Sequence, residues 1–96
     1  MAKFTVSLSK RAEKQLDKLS DKIAKPILTA IGNLAKNARP FGYKKLKGRE
    51  GYRIRVGDYR ILYSIEDHIL LVEVVDVGHR RNIYKWKIKT YIIKFY

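Results

Sequence analysis

The chain has 96 residues, 46% of them hydrophobic, which is enough for one domain with a modest core of its own. Its 22 Lys and Arg against 9 Asp and Glu leave a formal charge of +13, a balance that predicts a polyanionic partner, nucleic acid first and an acidic protein second. The absence of cysteine excludes a disulfide framework, a thiolate zinc site and a cysteine nucleophile. With no apolar run of membrane-spanning length and no signal peptide, a cytoplasmic protein that does not engage a membrane is expected.

Residues 3–8 set Phe4, Val6 and Leu8 at alternate positions, the pattern of a first strand. Ser9 is an N-cap for a helix over 10–19, with Ala12, Leu16 and Leu19 on one face. Ser20-Asp21 forms a break and a second cap. Beyond it Ile23, Ile27, Ile31 and Leu34, with Ala30 and Ala38, trace a stripe at helical spacing. Pro26 removes a backbone donor, so it is expected in or near the first turn or at a kink, and Arg39-Pro40 closes the element. Residues 41–51 form a basic connector whose three glycines discourage regular structure across its length. Lys44, Lys45, Lys47 and Arg49 extend the positive surface there, and Leu46 is its anchor to the core.

Residues 52–63 read Tyr-Arg-Ile-Arg-Val-Gly-Asp-Tyr-Arg-Ile-Leu-Tyr, two alternating runs that meet at Gly57-Asp58. This predicts a hairpin with a type II′ turn, which pairs Val56 with Tyr59, Ile54 with Ile61 and Tyr52 with Tyr63 on the side to be buried. The other side carries Arg53, Arg55 and Arg60, with Arg55 directly opposite Arg60. Like charges so placed are destabilising. Either their long stems diverge into water, or the face is made for an anion, most simply a phosphate. Glu66-Asp67-His68 is a second turn, and 69–77 is a nearly continuous apolar strand suited to the middle of a covered sheet, ended by Gly78. His79, Arg80, Arg81 and Tyr84 follow, and the period of residues 85–96 fits neither strand nor helix throughout. Trp86, Tyr91, Phe95 and Tyr96 are expected to pack on the domain or on a partner. The fold class is α+β: two helices on one face of an antiparallel-rich four-stranded sheet, in the order β-α-α-β-β-β. Two histidines and no clustered carboxylates argue against a metal site.

That order, the hairpin, and the Val77-Gly78-His79-Arg80-Arg81 segment with Tyr84 soon after resemble the RelE branch of the RelE/ParE toxin superfamily, over roughly residues 3–85. The resemblance implies one RelE-like domain over 1–96, with 85–96 as a basic aromatic extension. It implies a type II toxin that cleaves messenger RNA on the ribosome and is held inactive by a RelB-like antitoxin, through which the pair binds operator DNA. The implied chemistry needs no metal or cofactor: the ribose 2′-hydroxyl attacks the adjacent phosphate. Arg53, Arg55, Arg60, Arg80 and Tyr84 match the family's site positions, while Lys44, Lys45, Lys47, Arg49 and Arg81 extend the RNA-binding surface. The best-known pattern has lysines where this chain has Arg53 and Arg55. A guanidinium does not readily accept a proton, so both are phosphate clamps and the base is left unassigned: Glu50, His79 or Tyr84, or no side chain at all if the ribosome orients the reaction. His79 is also a candidate donor to the leaving oxygen. Two other readings are a ParE-type gyrase inhibitor on the same fold and a basic domain that only docks on RNA or DNA.

Overall fold

The structure, a computed structural model, describes residues 3–79. Its elements are β1 (Thr5–Leu8), α1 (Lys10–Asp17), α2 (Asp21–Asn33), β2 (Lys44–Lys45), β3 (Tyr52–Val56), β4 (Tyr59–Glu66), a 3-10 turn (Asp67–Ile69) and β5 (Leu71–His79). They form one mixed sheet in the order β1-β5-β4-β3-β2. β1 runs parallel to β5, and every other pairing is antiparallel. The sheet has five strands where the sequence predicts four. The extra one is a two-residue segment of the basic connector, where Lys44 pairs with Arg53 and Lys45 with Tyr52. Half-buried Leu46 then donates its N–H to the carbonyl of Gly51, 3.0 Å away.

Ser9 caps α1 as expected, its hydroxyl accepting from Ala12 N–H at 3.0 Å. The same hydroxyl donates to the carbonyl of Val75 at 3.1 Å, and Ser9 N–H donates to that of Val74. Gln15 continues the arrangement, its Oε1 accepting from Val77 N–H at 2.7 Å. Where β1 stops, α1 therefore takes over the edge of β5 and satisfies groups that a sheet edge leaves open.

α2 buries Ala24, Ile27 and Ile31, and the stripe continues through Leu34 and Ala38 after the helix ends at Asn33. Ile23 is 40% exposed, so the buried face begins at Ala24 instead. Pro26 is the sixth helical residue, past the first turn. It lies on the exposed side, where water can serve the carbonyl that its missing N–H leaves without a partner.

The core lies between these helices and one face of the sheet, around Leu16, Ile27, Leu34, Ile61, Tyr63, Val72 and Val74. Tyr63 donates its hydroxyl to the carbonyl of Ala38 at 2.8 Å, and burial pushes its pKa up to about 12. β5 begins at Leu71, two residues later than predicted, because Leu70 takes a left-handed conformation (φ 52°) at the end of the 3-10 turn. Tyr63 pairs with Val74 and Leu62 with Asp76, so Val75 is an extra residue. This bulge returns Val77 to the helix side with Val72 and Val74, and explains why the strand reads as unbroken apolar sequence. It also turns Asp76 to the other face, where the buried carboxylate accepts from Arg11 Nε at 3.1 Å and from Gln15 Nε2. Coverage is uneven on that face, since Glu73 is exposed. Among the described residues, no helix is long and apolar enough to cross a membrane.

Candidate nucleic-acid interface

The hairpin that organises the site folds as its sequence dictates. Gly57 takes a positive φ (58°) while Asp58 does not, the type II′ pattern, and the turn locks the register. Val56 faces Tyr59, Ile54 faces Ile61, Tyr52 faces Tyr63 and Arg55 faces Arg60. Alternation then divides the residues between two faces. Tyr52, Tyr59 and Tyr63 pack on the helix side. On the opposite face one row runs Lys44, Arg53, Leu62, Asp76 across four strands, and the next runs Arg55, Arg60, Gly78 across three. Arg55 and Lys44 are exposed, while Arg53 and Arg60 are half-buried.

Gly78 stays within β5 instead of ending it. As the cross-strand partner of Arg60 it sets no side chain beside the guanidinium row. Asp76 in the neighbouring row is already held by Arg11 and Gln15. The face thus gathers four cations at fixed spacing, which suits a phosphate with negative charge on several oxygens.

The other expected site residues fall elsewhere. His79 pairs with Tyr59, and the two rings meet edge to face at 5.3 Å, which places the imidazole on the helix side of the sheet, away from Arg55 and Arg60. It lines a cleft of about 370 Å³ with Ile23, Pro26, Val56 and Tyr59. Glu50 lines a second cleft of about 410 Å³ with Lys45, Arg49, Tyr52, Ser64 and Glu66. That cleft lies at the end of the hairpin remote from Gly57, and its two acids offset its two cations. Lys47 is exposed in the same connector. Arg80, Arg81, Tyr84 and the 85–96 extension lie outside the described residues. Among the described residues, no cluster of His, Asp and Glu could hold a metal ion.

One basic constellation has no signature in the sequence. Arg39 grips Asp67 through two parallel hydrogen bonds of 3.1 and 2.9 Å, and its guanidinium lies 5.3 Å from the ring centre of Tyr52. Tyr43 packs on Tyr52 from the connector, with ring centres 5.9 Å apart. The Asp67 carboxylate holds the Arg39 proton more tightly than usual, and Arg39 in turn holds the Asp67 carboxyl below its ordinary range. An arginine before a proline and an aspartate in a distant turn follow no common period, so only the fold brings them together.

Comparison with known proteins places this geometry in a family. Residues 6–84 match the family model described as the ParE toxin of type II toxin-antitoxin systems, parDE. A chain of Methanocaldococcus jannaschii named as a candidate toxin RelE1 is 34% identical over 89 residues, covering 86% of this chain and 97% of its own length. Toxin RelG of Mycobacterium tuberculosis is 31% identical over 84 residues, covering 85% and 97% respectively. Among solved structures, the toxin–antitoxin complex RelBE2 of Mycobacterium tuberculosis superposes with a TM-score of 0.73 at 29% identity, over 82% of this chain and 93% of that one. With its helical pair on a mixed sheet and a family match spanning most of its length, the chain belongs to the RelE/ParE superfamily of type II toxin–antitoxin toxins.

Proposed function

We propose that this toxin is a ribosome-dependent endoribonuclease that arrests translation by cutting messenger RNA in the cytoplasm. The observation that carries the reading is the Arg55–Arg60 pair, opposed across a two-residue turn with Arg53 and Lys44 on the same face. A pairing that costs stability is intelligible where a dianionic transition state must be held. In the reaction, the ribose 2′-oxygen attacks the adjacent phosphorus as its proton passes to a base (Tyr84, His79 or Glu50), or to solvent where the ribosome orients the reaction. The bond from phosphorus to the 5′-oxygen then breaks, that oxygen takes a proton, and a 2′,3′-cyclic phosphate remains. No metal is called for, because the guanidinium groups supply the positive charge.

Arg53 and Arg55 clamp the phosphate, and Arg60 stabilises the charge that develops on the phosphorane. Arg80 and Tyr84 join them by their match to the family's site positions. His79 lies on the helix side of the sheet and Glu50 at the end of the hairpin remote from Gly57, so both stand behind Tyr84 as candidates for the proton transfers. A RelB-like antitoxin holds the toxin inactive and carries the pair to operator DNA, a partnership supported by the RelBE2 complex that this fold resembles. The whole chain, 1–96, acts as one domain with 85–96 as its basic extension.

The test is end chemistry. In a translating extract the purified chain should yield mRNA fragments with 2′,3′-cyclic phosphate ends, and Arg60→Ala should remove them. The family model carries the ParE name, which keeps gyrase inhibition as the second reading. Intact mRNA together with gyrase-linked DNA breaks would establish that reading in place of the first.

A further inference from the structure

The ring of Phe41, with a relative exposure of 107%, stands wholly in solvent. The backbone beneath it is fixed. Tyr43 N–H donates to the carbonyl of Pro40 at 2.9 Å, closing a four-residue turn with Phe41 second and Gly42 third. Gly42 has φ +88°, the conformation that a type II turn needs at its third residue. On the near side the turn is tied down by Arg39 on Asp67 and by the Tyr63 hydroxyl on Ala38. On the far side it is held by the Tyr43–Tyr52 ring contact and by β2. A large apolar ring at the apex of so well supported a turn contributes nothing to the core.

Its surroundings indicate what it meets. Residues 36–49 contain no acid and six cations, Arg39, which Asp67 already holds, and Lys36, Lys44, Lys45, Lys47 and Arg49. Lys44 shares the sheet face of Arg53, Arg55 and Arg60, so it links the turn to the arginine rows. Aromatic anchors at protein interfaces favour apolar, desolvated pockets. An exposed ring beside a run of cations is instead the arrangement that tracks a single strand, with phosphates on the basic groups and a base on the ring. Two strand spacings, a two-residue step along β3 and three residues of chain put Phe41 within roughly 22 Å of Arg60, a few nucleotides along an extended strand.

We propose that Phe41 is a base-stacking contact for single-stranded RNA that runs from the arginine rows across Lys44 at the edge of the sheet. The inference rests on reading the arginine face as an RNA site. It is tested by binding of the full chain to a short single-stranded oligonucleotide with 2′-O-methyl riboses, which cannot be cleaved. Phe41→Ala should weaken binding about five-fold to a hundred-fold, the range that removal of a stacking aromatic gives, with the salt slope unchanged. Lys44→Ala should instead lower that slope by about one. Phe41→Trp should restore affinity, with indole fluorescence quenched by RNA relative to the parent chain, whose one tryptophan is Trp86. Unchanged affinity of Phe41→Ala for the oligonucleotide overturns the proposal. Such a result with weakened binding of the antitoxin would make the ring a protein anchor. Cleavage assays separate this from the functional reading: stacking with no cleavage sinks the nuclease and leaves the contact standing, whereas cleavage with a silent Phe41→Ala does the reverse.

Discussion

Replacing Arg55 by glutamate should make the protein more stable and less active at once. In a hairpin with a two-residue turn, the pair next to the turn is hydrogen-bonded. Arg55 and Arg60 therefore form a non-hydrogen-bonded pair, with Cα atoms about 4.5 Å apart and side chains at their closest. With the charged groups about 6 Å apart in water, Coulomb repulsion is about 0.7 kcal/mol, which a Debye length of about 8 Å at physiological salt roughly halves. Glutamate reverses its sign, so the swing is about 0.7 kcal/mol, inside the ~0.2–1 kcal/mol range of cross-strand pairs. For a domain of this size that corresponds to a rise in Tm of about 3–6 °C. Thermal unfolding followed by circular dichroism measures it, and the gain should shrink in 0.5 M salt (roughly 4 Å Debye length). Arg55→Gln should recover about half. In the same preparations, mRNA cleavage should fall by about two orders of magnitude, the loss typical when a charge-stabilising group is removed. A variant that is no more stable at low salt would refute the repulsion. One that is stabilised yet cleaves normally would refute the site.

Arg60→Ala should lower the cleavage rate by about a hundred-fold or more while RNA binding falls only modestly, and a parallel loss of both would mark Arg60 as a docking residue. Ser9→Ala should cost about 1–2 kcal/mol in denaturant titration, because one hydroxyl both caps α1 and serves the Val75 carbonyl. Tyr63→Phe should cost about 1–2 kcal/mol by the same measurement through the hydrogen bond it leaves unmade at Ala38. The pH dependence follows from the raised Tyr63 pKa. Below pH 10 both folded and unfolded states keep the proton, so its stabilising contribution is fully present there. It is lost as pH rises through about 12, and the loss should be absent in Tyr63→Phe.

The hairpin was legible because two local rules agree on it: alternation fixes which residues share a face, and glycine at 57 fixes where the faces meet. Those rules gave the residue-by-residue register and the core tyrosines. β2 was hidden because two residues carry no period, and its existence depends on the partner Tyr52-Arg53 being held in place already. The Val75 bulge was hidden for a related reason. An unbroken apolar run does not reveal where one residue has been inserted, so the outward turn of Asp76 could not be foreseen. The side on which His79 falls depends on Gly78, which alternation alone reads as a strand end. Once the glycine remains in the ladder, strand parity sends the next side chain to the helix side. The Arg39 pair depends on a contact between distant segments, which composition cannot encode.

The parallel pairing of β1 with β5 joins residues 5–8 to residues 71–74, so the sheet is stitched together by its last described strand. Until that strand emerges, β1 has no neighbour and the hairpin has only the short β2 beside it. Contacts this distant along the chain close slowly. During synthesis the sheet would therefore close late, because β1 waits for residues 71–74 before it has a strand to pair with.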